Sequence, residues 1–87
     1  MDSFLSKREL KRLGIRKYGE NVLISRFAQL YNPELLELGH HVRIDDFTII
    51  SGKVILHNYI HIAHNCGLIG GKEGIVIEDF STLSSRC

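Results

Sequence analysis

The sequence predicts an all-β chain wound as a triangular prism of hexapeptide coils, a parallel β-helix, with a short N-terminal helix. Three observations predict it. An aliphatic residue returns every sixth position at Leu38, Ile44, Ile50, Leu56, Ile62 and Leu68, and a small or β-branched residue follows four places later at Val42, Thr48, Val54, Ile60 and Cys66. A period of six fits neither an amphipathic helix nor simple strand alternation, but it is the spacing of a hexapeptide β-helix. The register also extends both ways: backwards through Leu30, Ile24 and Tyr18, with Ala28 and Val22 as partners, and forwards through Ile77 and Leu83, with Ser81 and Cys87 in the small position. Finally, with three hexads to a coil, the extra residues in YNPELLE (31–37) and in IGGKEGIV (69–76) leave from the same corner, two coils apart.

Each hexad then supplies one short strand and one corner. The aliphatic side chain fills the prism and the small one sits inward near the corner, where space is limited. Successive coils stack as parallel strands about 4.8 Å apart, so the core consists of ladders: Leu30–Ile50–Leu68, Ile44–Ile62–Leu83 and Leu38–Leu56–Ile77. A single coil cannot bury its own apolar side, and stability comes from nearest-neighbour stacking.

In chain order, Ser6 and Glu9 form a capping box and Gly14 suits a left-handed C-cap, so residues 6–13 read as a helix that covers the open strand edge of the first coil. Residues 1–17 are expected to be this cap and its lead-in, and residues 18–87 the β-helix. The first coil spans 15–30, with a corner at Gly19-Glu20-Asn21, and Asn32-Pro33 marks a turn. The second coil spans 38–55, with corners near Gly39, Asp45-Asp46 and Ser51-Gly52, and residues 56–68 begin the third. The glycines of 70–74 match no phosphate-binding pattern and read as turn residues. Cys87 is the fifth residue of a hexad and nothing caps the last coil, so the expectation is a chain truncated at its C-terminal end.

Composition bounds the function. Eighty-seven residues make one domain, and a hydrophobic fraction of 44% excludes a disordered chain. A net charge of +1 implies neither a nucleic-acid nor an anionic-membrane partner. No apolar run approaches the roughly 18 residues of a membrane span, and MDSFLSKREL lacks the features of a signal peptide, so a cytoplasmic location is expected. Cys66 and Cys87 fall at inward corner positions one coil apart and read as small core residues of a reducing compartment.

Five histidines is a high count. His57, His61 and His64 cluster in LHNYIHIAHNCG, and none takes an inward position. His40, His41 and His57 read as surface residues, whereas His61 and His64 stay open between surface and catalytic roles. Asp45 and Asp46 read as corner residues whose side chains satisfy turn amides, with orientation of a histidine or a sugar as the alternative.

The hexad run resembles the left-handed β-helix acyltransferases of the hexapeptide-repeat family. The stretches NVLISRFAQLY, VRIDDFTIISGKVIL, NYIHIAH and GGKEGIVIEDFSTLSSR look most like bacterial sugar O-acetyltransferases. His61-Ile62-Ala63-His64-Asn65-Cys66 is similar to the HIAH(D/N)C segment of acyltransferases acting on UDP-N-acetylglucosamine, in which the second histidine is the general base. The resemblance implies an acyltransferase that moves an acetyl or other acyl group from acetyl-CoA (acyl-CoA) to a sugar hydroxyl by direct attack. It implies His64 as base with His61 in support, a sugar, nucleotide-sugar or polysaccharide acceptor, a homotrimer with sites between neighbouring prisms, and no metal. Family members are longer, which agrees with a fragment. Histidine suits proton abstraction near pH 7, and backbone N–H groups at a corner suit an oxyanion. Two other readings are kept: a metal-dependent protein on the same fold resembling γ-class carbonic anhydrases, with His57, His61 and His64 as imidazole ligands, and a non-catalytic trimerising remnant.

Overall fold

The computed structural model describes residues 4–84. One helix, α1 (Lys7–Leu13), precedes ten strands among these residues: β1 (Leu23–Ile24), β2 (Gln29–Leu30), β3 (Leu36–Leu38), β4 (Val42–Ile44), β5 (Ile49–Ser51), β6 (Val54–Leu56), β7 (Ile60–Ile62), β8 (Gly67–Ile69), β9 (Ile75–Ile77) and β10 (Thr82–Leu83). They form three sheets, β1-β4-β7-β10, β2-β5-β8 and β3-β6-β9, which are the faces of the prism. Every strand pair is parallel.

The register is the predicted one. Ile24, Ile44, Ile62 and Leu83 form one ladder, Leu30, Ile50 and Leu68 a second, and Leu38, Leu56 and Ile77 a third. Ile44 and Ile62 are fully buried, as are the corner residues Val42, Thr48 and Val54. Thr48 fits an apolar corner because its hydroxyl donates to the Ala63 carbonyl at 3.0 Å, which satisfies a group that would otherwise be costly to bury.

One inward position escaped the hexad reading. Leu36, inside the stretch read as inserted, is buried and pairs with Val54 in the next coil. The excursion is therefore confined to a short 3₁₀ turn at Pro33–Leu35, and the second coil starts at Leu36 rather than Leu38. The two excursions do leave from one corner, between the β2-β5-β8 and β3-β6-β9 faces. Asn32 links them to the intervening coil by accepting from the Gly52 N–H at 2.8 Å.

Helix α1 carries the predicted capping box. The Ser6 N–H donates to Glu9 at 2.9 Å, the Glu9 N–H donates to the Ser6 hydroxyl at 3.2 Å, and Gly14 closes the helix at φ 78°. Its Leu10 is buried in the core. The segment before it pairs with the first coil through an antiparallel bridge between Phe4 and Ser25, with the Leu5 N–H on the Ile24 carbonyl at 2.8 Å. The strand edge that begins the solenoid is thus covered. No helix among the described residues is long and apolar enough to cross a membrane. Cys66 is a buried free thiol donating to the Ser84 carbonyl at 2.9 Å, whereas its expected stacking partner Cys87 lies outside the described residues.

Candidate active site

Strand alternation determines which side chains the β1-β4-β7-β10 face shows to solvent. Ile60 and Ile62 point inward, so His61 points out, and in the coil before it Arg43 does the same between Val42 and Ile44. Parallel pairing puts Leu23, Arg43, His61 and Thr82 in one outward row.

Beside this row the chain turns at Asp45, whose carboxylate takes two partners. Its Oδ2 lies 2.8 Å from Nε2 of His61, and its Oδ1 accepts from Nε of Arg43 at 2.8 Å. Burial raises the pKa of this carboxyl, but the hydrogen bonds from His61 and Arg43 outweigh that effect and hold it below the ordinary carboxylate value. An ionised Asp45 can only accept. His61 therefore carries its proton on Nε2 and leaves the Nδ1 lone pair as the ring's remaining acceptor. Such a pair can take a proton from a bound acceptor while the carboxylate stabilises the resulting imidazolium.

His64 sits in the next turn, is exposed, and among the described residues has no hydrogen-bond or ion-pair partner. It lines a cavity of about 260 Å³ together with Phe4, Arg43, Asp45 and Asp46. The Arg43 guanidinium lies over the Phe4 ring, 5.4 Å from its centroid. Asp46 accepts from the hydroxyl of buried Ser25.

The aspartates are thus bound to side chains, not to turn amides as the sequence suggested. Amides at the corner before this face are served by other residues: the Glu20 N–H donates to Nδ1 of His40, the His40 N–H to Asn58 and the Asn58 N–H to Asp79. His40, read as a simple surface residue, is one rung of this corner ladder. His41 is another structural residue, stacked on Tyr59, which stacks in turn on Phe80 at centroid separations of 4.7 and 4.9 Å.

His61 and His64 flank one carboxylate pair, while His57 lines a separate groove with Lys17, Glu37 and Asn58 on the far side of the corner. Among the described residues no three His, Cys, Asp or Glu side chains converge in a way that could hold a metal ion. Arg43 was not singled out from the sequence, although a signal existed: Arg43 and His61 each precede an inward isoleucine, so the hexad register itself stacks them. Phe4 carries no such signal, because it lies outside the repeat.

No protein-family model matches the chain. It is 40% identical to a dTDP-4-amino-4,6-dideoxy-D-glucose acyltransferase of Escherichia coli, in an alignment that takes in 97% of this chain and 45% of that protein. Among solved structures it is similar to AntD, an N-acyltransferase from Bacillus cereus. A point variant of AntD in complex with dTDP-4-amino-4,6-dideoxyglucose and coenzyme A superposes with a TM-score of 0.96 at 50% identity, over 99% of this chain and 46% of AntD. AntD in complex with dTDP and 3-hydroxybutyryl-CoA superposes with a TM-score of 0.92 at 50% identity, over 94% of this chain and 44% of AntD. The chain spans a little under half the length of the relatives it matches.

Proposed function

We propose that this chain, similar in sequence and fold to the hexapeptide-repeat sugar acyltransferases, is part of an enzyme that moves an acyl group from acyl-coenzyme A to the amino group of a nucleotide-linked amino sugar. The observation that carries the reading is the Asp45–His61 pair on an open outer face, in a chain 50% identical to an N-acyltransferase. The hydroxyl acceptor read from the sequence gives way to an amine in this proposal, because the E. coli relative is named for an amino sugar and AntD for N-acyl transfer.

The chemistry asks for few groups. The neutral amine attacks the thioester carbonyl, a C–N bond forms, the tetrahedral oxyanion collapses, and the C–S bond breaks to release coenzyme A. The amine gives up a proton that ends on the leaving thiolate. At neutral pH an alkylammonium must first lose a proton, which is work for a base that titrates near pH 7. Resemblance assigns that base to His64 with His61 in support. Geometry favours the reverse order, since His61 has the orienting carboxylate and His64 lines the cavity beside it. A single flat face supplies half a pocket, so the reading includes a homotrimer whose neighbouring prism completes the site.

The test is release of coenzyme A thiol by the full-length protein given dTDP-4-amino-4,6-dideoxyglucose and acetyl- or 3-hydroxybutyryl-CoA. His61→Gln should lower kcat on the order of 10²–10⁴-fold, and His64→Gln far less. The opposite order would return the base to His64. Full turnover in both variants would remove histidine base catalysis, and acylation of a sugar hydroxyl instead of the amine would restore the hydroxyl acceptor.

A further inference from the structure

Phe4 and Arg43 stand outside the proton transfer proposed above, yet they form a continuous run of contacts into it. Phe4 belongs to the segment that precedes α1. That segment is tied to the first coil by the Phe4–Ser25 bridge, by the Leu5 N–H on the Ile24 carbonyl at 2.8 Å, and by Arg26, which donates to the Phe4 carbonyl at 3.2 Å and to Glu9 at 3.1 Å. The Phe4 ring is therefore held in place, and the Arg43 guanidinium lies over it at 5.4 Å. Such cation–π contacts favour one side-chain position for an arginine that is otherwise half-exposed. Arg43 then donates from Nε to Oδ1 of Asp45 at 2.8 Å, which leaves Oδ2 for His61 at 2.8 Å.

We propose that Arg43, held by Phe4, is a positioning residue that sets the orientation and proton affinity of His61 by sharing the Asp45 carboxylate. The N-terminal segment thereby acts on the site it borders. The proposal rests on the reading of His61 as base only for its effect on turnover, since the physical coupling is independent of the reaction. The charged and titratable groups around this carboxylate are Arg43, two residues earlier on the same coil, His61 of the next coil, and Asp46 and His64 at the shared cavity. Removing the guanidinium withdraws a positive charge from the neighbourhood of the imidazole and leaves the carboxylate to His61 alone. Both effects favour the imidazolium.

The experiment is a proton-NMR titration of histidine-labelled full-length protein, with the His61 signal assigned by its loss in His61→Gln. In Arg43→Gln the His61 titration should move upward, and in Phe4→Leu by less, in the same direction. Arg43→Lys, which keeps the charge, should move it least. The His57 titration in the same spectra serves as an internal control for general disturbance, because His57 lines a separate groove. An unmoved His61 titration in folded Arg43→Gln overturns the proposal, as does a His57 shift equal to that of His61. If the titration moves and the pH profile of kcat does not follow, the positioning stands and the assignment of His61 as base fails, so the two readings part in one data set.

Discussion

Asp45 holds an imidazole and a guanidinium on its two oxygens, and its side chain is only 19% exposed. Its carboxyl is held below the ordinary value of 3.8 because those two hydrogen bonds outweigh its burial. The unfolded chain lacks both partners, so the folded state prefers the ionised form. The resulting stabilisation is complete above about pH 4 and is lost as pH falls through the lowered pKa. Thermal unfolding followed from pH 7 to pH 2 should therefore show Asp45→Asn less stable than the natural protein at neutral pH, with the gap closing below about pH 4. A gap that stays constant to pH 2 would mean that the carboxylate is not coupled to folding. His40 teaches a related lesson at the same scale. It is outward in the repeat and exposed, yet its ring nitrogen accepts a backbone N–H from the preceding coil at 2.8 Å, so an outward position is not the same as an idle one.

At the scale of elements, the capping box does more than start α1. Glu9 is held by the Ser6 N–H and then by Arg26 of the first coil, and these contacts depress its pKa. The box thus ties the helix to the solenoid as well as closing its first turn. Ser6→Ala should cost about 1 kcal/mol, which corresponds to a fall of roughly 4–8 °C in Tm for a domain of this size, measurable by circular dichroism. No change in Tm would show that the helix docks through Leu10 alone. The corners are built differently. Asn21, His41, Tyr59 and Phe80 occupy one corner, and Phe47 and Asn65 the next, all with φ between 57° and 60°. This left-handed conformation is unfavourable for aromatic residues, and it recurs because the prism must turn sharply at the same point in each coil. At the first corner the rings of His41, Tyr59 and Phe80 stack with interplanar angles of 14° and 7°, an attraction that offsets part of the backbone cost.

At the scale of the whole molecule, the candidate site lies on one flat face, with Tyr59 and Phe80 at one edge, 52% and 77% exposed, and Phe47 at the other, 60% exposed. Large exposed aromatic side chains are among the residues that protein interfaces are enriched in, which supports the proposed trimer. Sedimentation equilibrium of the full-length protein should give three times the chain mass. A monomer at micromolar concentration would leave the face open and overturn a site shared between prisms.

The repeat was legible in the sequence because it is a local rule applied again and again. An inward aliphatic residue every six positions, a small residue at each corner and a capping box before the first coil need no knowledge of distant partners, and together they determined the fold, the ladders and the outward placement of all five histidines. The tertiary structure decided which of these outward residues share a hydrogen bond. Arg43 meets Asp45 across the turn of its own coil, whereas His61 is brought to the same carboxylate by the parallel stacking of the next coil, so the three-way contact depends on the exact rise and turn of the chain. Leu36 entered the core because the excursion before it closed into a 3₁₀ turn, a choice that the hexad count left open. Phe4 reached the site from outside the repeat, through the pairing of the N-terminal segment with the first coil. Periodicity is a property of neighbours along the chain, and a site is a property of neighbours across it.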